Sequence, residues 1–203
     1  MGKNIGLIPL GFTEIWSASF NSAIIISAGD NAEFIAFCGI NLDITIFNKE
    51  NVYLPAFLKT YPFLNVEVEN KDKKVNSLIA IDNNPKYVAK DKKIFILDKE
   101  KNLSKQVATK VELIKELNSQ RAVCRRIIAE LKKLDLLIKK GLRVKIEGKE
   151  EKVILEEFYV INMEKLLKLD DKIIASFAKK GWMGIFDAHF KSMGNFEKIL
   201  KAN

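Results

Sequence analysis

The residues able to do chemistry are few, and their spacing fits no familiar catalytic pattern. His189 is the single histidine of the chain, with Asp187 two residues before it and Ser192 three after. On a helix, His189 and Ser192 share a face, the placement a general base and its nucleophile need. Such a dyad also requires an acid to orient the imidazole and donors for an oxyanion, and the sequence marks neither. The other reading is a histidine and a serine that hydrogen-bond a terminal helix to its surroundings. The carboxylate pairs Glu156-Glu157 and Asp170-Asp171 are adjacent, so their side chains point apart, and they read as surface and capping positions. No catalytic residue is assigned.

Ligand chemistry is equally sparse. One histidine with Cys38 and Cys124, far apart in the chain, is too small a set of soft and nitrogen ligands for a zinc site. No metal and no organic cofactor are expected. Gly2, Gly6 and Gly11 are spaced wrongly for a phosphate loop, and no Gly-x-Ser-x-Gly elbow occurs. The two cysteines read as lone buried thiols of a reducing compartment rather than as a disulfide.

These residues sit in a chain of 203 residues, 48% apolar and 30% charged, enough material for a core and too apolar for disorder. One domain, residues 1–203, is expected. No run is long enough to span a bilayer. Ile5 to Phe12 after Lys3 imitates a secretory leader, but one lysine is a weak start and Glu14 and Trp16 disfavour cleavage, so a cytoplasmic chain is expected. The net charge is +8. Residues 1–58 hold Lys3 and Lys49 against five carboxylates, net −3, which leaves +11 for the remainder. Lysines dominate and are interleaved with Glu and Asp, with Arg121, Arg125, Arg126 and Arg143 the only arginines. That pattern favours a solvated surface over a phosphate track, and no nucleic-acid partner is assigned. Nucleic-acid binding remains a third reading.

The elements that would position these residues form an α+β fold, β-rich over 1–102 and helical with a hairpin over 103–203. Residues 5–47 read as short strands, a meander or hairpins: Ile24 to Ile26, Phe34 to Phe37 and Leu42 to Phe47, with glycine turns between. Asn65 to Glu69 and Leu78 to Ile81 read as a strand pair, and Lys93 to Leu97 as a further strand. From Ser104 the period becomes helical. Val107, Val111, Ile114, Leu117, Cys124, Ile128, Leu131 and Leu134 make one apolar stripe, with Gly141 as the expected stop after Lys139 and Lys140. That 104–140 helix packs across the sheet or serves as the seam of a homodimer. Leu142 to Glu147 and Lys152 to Ile161 read as a hairpin. Asn162 and Asp170 read as N-caps, and Gly181 as a C-terminal stop. Ile185 to Lys191 and Phe196 to Leu200 read as final helices.

One stretch organises the chain: Tyr53-Leu-Pro-Ala-Phe-Leu-Lys-Thr-Tyr-Pro-Phe63, with four aromatics and two prolines in eleven residues. Pro55 suits the first turn of a helix over Ala56 to Thr60, which Tyr61-Pro62 ends. On that helix Tyr53, Phe57 and Tyr61 fall at i, i+4 and i+8, on one face. The cluster reads either as a clip that seats the element on the core, with Tyr53, Phe57 and Phe63 buried, or as a surface gripping a peptide or apolar ligand.

This motif resembles the hallmark of the SapC-like bacterial family. Ile79-Ala-Ile-Asp82, Phe95 to Asp98, Leu131 to Leu137, Phe158 to Ile161 and Ala188-His-Phe-Lys-Ser-Met193 with Asn195 agree in the same order, over roughly residues 5 to 200. The resemblance implies a non-catalytic accessory protein of surface-layer or cell-surface biogenesis or export, acting on a protein partner, with peripheral association at the envelope. It carries no catalytic residues. The residues implicated in binding are Tyr53, Pro55, Phe57, Tyr61, Pro62 and Phe63, with His189 and Ser192. The rival is an enzyme or a small-molecule-binding protein with a pocket near Tyr53 to Phe63 and His189.

Overall fold

The computed structural model describes residues 6–40, 47, 50–69, 75–82, 84, 95–144 and 151–201. The chain divides into two compact units, Met1–Pro55 with Gln120–Asn203, and Ala56–Ser119. One helix, α3 (Lys105–Lys133, 29 residues), passes through both.

The first unit is built on a five-stranded antiparallel sheet of β1 (Gly6–Pro9), β2 (Ala23–Ser27), β3 (Phe34–Gly39), β6 (Leu137–Val144) and β7 (Lys152–Ile161), in the order β1-β3-β2-β7-β6. The β-rich and helical halves of the sequence therefore contribute to one sheet. β2 is central, and its run Ala23-Ile-Ile-Ile26 is buried throughout, as a strand covered on both faces must be. Ala23 and Ile25 join Phe37, Ile154, Leu155 and Phe158 in a core that Ile199 closes from helix α7 (Asn195–Lys201). Ile24 and Ile26, on the other face, are also fully buried.

The second unit consists of α2 (Ala56–Thr60), the antiparallel pair β4 (Phe63–Glu69) and β5 (Val75–Ile81), and the first half of α3. Its core is Phe63, Val107 and Ile114, flanked by Ile81 and Val111.

Local signals place many boundaries. α2 spans five of the six residues between Pro55 and Pro62. The Asn162 side chain accepts from Lys165 N at the start of α4 (Met163–Leu166), and Asp170 accepts from Lys172 N at the start of α5 (Asp171–Lys179). Gly181, at φ +71°, ends α5 and precedes α6 (Met183–Ser192). Ile128 and Leu131 are buried, as the apolar stripe requires.

Three expectations are corrected. The long helix does not run to Gly141. It stops at Lys133, where Asp135 takes φ +53°. Asp135 N–H bonds to Lys132 O (3.1 Å) and Leu136 N–H to Leu131 O (2.9 Å). This is a Schellman ending, sealed by Leu131 and Leu136, both fully buried. Asp tolerates the left-handed conformation better than most residues. Lys139, Lys140 and Gly141 then fall inside β6, and any seam through residues 104–140 reduces to Lys105–Lys133. Second, residues 12–18 are helical rather than extended: a 3-10 turn (Phe12–Glu14) leads into α1 (Ile15–Ala18). Third, of Lys93 to Leu97 the described part makes only an isolated bridge, Leu97 to Leu103. The strand expected at Leu42 to Phe47 lies almost wholly outside the described residues.

The turn at Gly11 tolerates no side chain. A Cβ there would stand 2.4 Å from Gln120 Oε1 and 3.0 Å from Gln120 Cβ. That amide is held, because its Oε1 accepts from Thr13 Oγ1 at 2.7 Å. Gly11→Ala is expected to lower stability by about 1–3 kcal/mol, the range for overpacking, measurable as a lower denaturant midpoint with an unchanged m-value.

Candidate functional site

The aromatic motif crosses from one unit to the other at Pro55, and each part is held by its own unit. In the first, Tyr53 is half-buried and its hydroxyl donates to Glu14 Oε1 at 2.9 Å. Glu14 is itself buried, and its Oε2 accepts from Gly11 N at 2.8 Å. Burial, reinforced by the Glu14 charge, pushes the Tyr53 phenol well above its ordinary pKa, so it stays a protonated donor.

In the second unit the end of α2 is tied down at several points. Thr60, buried, donates from Oγ1 to Phe57 O at 2.9 Å. The Tyr61 hydroxyl donates to Asp82 Oδ2, and Asp82 N–H returns a bond to Pro62 O at 2.9 Å. The Tyr61 bond, with one from Asn84 N, holds the Asp82 carboxyl below the usual carboxylate range. Lys110 on α3 donates from Nζ to Lys59 O (2.6 Å) and Tyr61 O (2.9 Å), placing a cation on the carbonyls that end a helix, where it is favoured. Partial burial lowers the Lys110 pKa. The Tyr61-Pro62 peptide bond is cis, and Phe63 then enters the core as the first residue of β4.

The single stripe expected from Tyr53, Phe57 and Tyr61 does not form. A five-residue helix cannot carry an i to i+8 face, both tyrosines lie outside it, and their hydroxyls go to different carboxylates. Pro55 and Phe63 are buried, whereas Tyr53, Phe57, Tyr61 and Pro62 are half-buried. Phe57 and Leu58 are the apolar side chains that α2 leaves partly open.

His189 and Ser192 lie on α6 in the first unit, both with no exposed surface. They do not form a base–nucleophile pair. Ser192 Oγ donates to His189 O (2.7 Å) and accepts from Ile24 N (2.9 Å). His189 Nε2 accepts from Ile161 N (3.0 Å). The reason lies in the sheet: β2 pairs with β7 only at Ile26–Tyr159 and Ser27–Phe158. Continuing that register would set Ile24 opposite Ile161. There the ladder has ended, and two buried amides need acceptors. Ser192 and His189 supply them. Asn195 completes the set, donating from Nδ2 to Ser19 O and Ser22 O at 2.8 and 3.0 Å. Among the described residues, the buried His189 Nδ1 has no partner in hydrogen-bond geometry. Burial lowers the His189 pKa to about 4, against an opposing influence of the Ile24 backbone.

A third polar group, which the sequence does not announce, lies beside α3. Glu33 is buried, and Arg121 Nη2 donates to both of its oxygens at 2.8 and 2.7 Å, while Arg125 Nη1 stands 3.2 Å from Oε1. The i, i+4 spacing of the two arginines was the available signal, but nothing in the sequence names their partner, 88 residues from Arg121. Cys124 lies between them, with its pKa pushed up to about 12 by burial and then by Glu33 and Glu14. It is a packed thiol, not a nucleophile. Cys38 is likewise buried and free. Among the described residues no group of three or more His, Cys, Asp or Glu side chains could hold a metal ion.

The family model described as SapC matches residues 1–199. The chain belongs to the SapC family. No curated protein and no solved structure matches it. In this SapC-family chain the stretches that carry the likeness have structural tasks: Asp82 closes Ile79 to Asp82 and anchors Tyr61, and the terminal stretch supplies His189, Ser192 and Asn195. That likeness includes Asp82 but does not name Tyr61 as its partner. Lys110, on a helix dense with lysines, carried no signal at all.

Proposed function

We propose that this SapC-family protein is a non-catalytic accessory factor of bacterial surface-layer or cell-surface biogenesis or export, working through contacts with a protein partner. Membership of the family over residues 1–199 supports that role. The observation that carries it is the use made of the polar groups. His189, Ser192, Asn195, Tyr53, Tyr61 and Asp82 are engaged in fixing backbone and turns, and α2 is left as a rigidly held, half-open apolar element. Phe57 and Leu58 are its contact residues. On this reading the chain acts as a single SapC domain, which is supported by the sheet that strands from both sides of Leu103 share.

Among the described residues no helix is long and apolar enough to cross a membrane. On this reading the protein works from the cytoplasm and meets the envelope peripherally, through a surface-layer or export component. A homodimer through α3 would have to use the polar side of that helix, because Val107, Ile114, Leu117, Cys124, Ile128 and Leu131 are already buried within the chain.

A photo-crosslinking residue placed at Phe57, with one at exposed Lys99 as control, tests this in the native cell. The Phe57 position is expected to capture a surface-layer or export protein that the Lys99 position does not. A folded Phe57 variant that captures nothing beyond the control overturns the contact role of α2.

A further inference from the structure

The surface between the second half of α3 and the turn joining α5 to α6 lies in the first unit, and no residue of the aromatic motif lines it. It forms an open cleft of about 700 Å³. Arg126, Glu130 and Lys133 line one side, at steps of four and three along α3, with Val123 and Ala129 supplying apolar surface. Lys180 and Trp182 line the other.

The position of Trp182 is fixed by backbone chemistry. Gly181 N–H bonds to Ala178 O (3.0 Å) and Trp182 N–H to Phe177 O (2.9 Å), a Schellman ending with Gly181 in the left-handed region. The hydrophobic contact that accompanies such an ending is present: the Trp182 ring stacks on Phe177 at 5.3 Å and 29°. Phe177 is buried and meets Phe186 edge-on at 5.6 Å. Trp182 is therefore a fixed wall. Lys180 Nζ stands 4.6 Å from the centre of its ring.

The cleft carries a net positive charge. Arg126, Lys133 and Lys180 face one carboxylate, Glu130, and among the described residues none of the three cations is in an ion pair. Through Lys180 the basic surface continues into a second hollow of about 530 Å³ on α5, lined by Lys172 and Lys179. Five cations thus form one track around a rigid aromatic wall.

We propose that this cleft binds an acidic peptide segment of a protein partner, with carboxylates on Arg126, Lys133 and Lys180 and an aliphatic side chain on Val123 and Ala129. The proposal rests on the reading that the protein acts through protein contacts, and it assigns a surface other than α2. Peptide is favoured over nucleic acid by two features. The one ring has Phe177 stacked against it and the Lys180 ammonium close by, so it offers no free platform for stacked bases. Glu130 repels a phosphate backbone but accepts the N–H groups of a peptide.

The test uses the full chain carrying Trp16→Phe, so that Trp182 is the only tryptophan. Four probes are compared: a labelled peptide of alternating Glu and Leu, its Gln–Leu counterpart, its Lys–Leu counterpart, and a single-stranded oligonucleotide of equal charge. The Glu–Leu peptide is expected to bind, to change Trp182 emission, and to weaken as salt rises from about 50 to about 300 mM, since these cations are exposed. Arg126→Glu with Lys180→Glu is expected to weaken it at least about tenfold. Charge-matched reversal of Lys99 and Lys105, which do not line the cleft, should leave it within about twofold, as expected for exposed charges that pair with nothing on the peptide. Equal losses in the cleft and control variants, binding without a Trp182 response, or preference for the oligonucleotide or the Lys–Leu peptide would overturn the proposal. Loss of the peptide interaction with the Phe57 crosslink intact sinks the cleft alone. A bound peptide with no Phe57 crosslink sinks the α2 reading alone.

Discussion

As pH falls from 6.5 to about 4, the folded state is expected to lose roughly 3 kcal/mol through His189 alone. The sign follows from burial. In the unfolded chain the imidazole takes its proton near 6.5, whereas in the fold it resists until about 4. Between those values the unfolded state binds more protons, so stability rises with pH through the window, is complete above it, and falls no further from this residue below it. The neutral tautomer is assigned by its hydrogen bond: Nε2 accepts from Ile161 N, which leaves the proton on Nδ1. Denaturant unfolding at pH 7, 5.5 and 4.5 measures the slope. His189→Gln retains a side-chain acceptor and removes the titration, so its slope across this window should be nearly flat. If wild type and variant lose stability in parallel, the acid response comes from other groups and the burial account of His189 is wrong.

Within the aromatic motif, two phenylalanines six residues apart are expected to behave oppositely. Phe63 is buried against Val107 and Ile114, so Phe63→Ala should cost about 3–5 kcal/mol, the range for truncating a core phenylalanine. Phe57 is only half-buried, so Phe57→Ala should cost about 1 kcal/mol, the centre of the range for single substitutions, and should act instead on partner capture. Thermal melts of both variants, run alongside the crosslinking comparison, separate the two effects. A Phe57→Ala protein that melts as low as Phe63→Ala would make the whole motif a packing device and remove α2 as a working surface. On that expectation the clip and the grip read from the sequence fall to different residues of one motif.

That division was not legible in the pattern. The i, i+4, i+8 spacing of Tyr53, Phe57 and Tyr61 predicts a shared face only if one helix carries all three, and the same prolines that define α2 confine it to five residues. Spacing gave the candidates, and chain breaks decided which of them stand together.

Features whose causes lie within a few residues follow from the order of amino acids alone. Pro55 and Pro62 set the bounds of α2, Asn162 and Asp170 cap their helices, Gly181 ends α5, and alternation marks the β6–β7 hairpin. Each acts through its own backbone geometry or a hydrogen bond to a near neighbour, so no distant partner is needed. Long-range packing settled the rest. Lys139 and Lys140 carry the chemistry of a helix end, yet Asp135 turned the chain earlier and β7 offered a strand partner, so they lie in a sheet. His189 and Ser192 have the spacing of a catalytic pair, yet two amides stranded where β2 and β7 part made them backbone acceptors, Ser192 for a residue 168 positions away. Glu33 became a buried anion because Arg121 arrives from 88 positions on. Buried polar groups must find partners or destabilise the fold, and which partners they find is settled by packing rather than by neighbours in the chain.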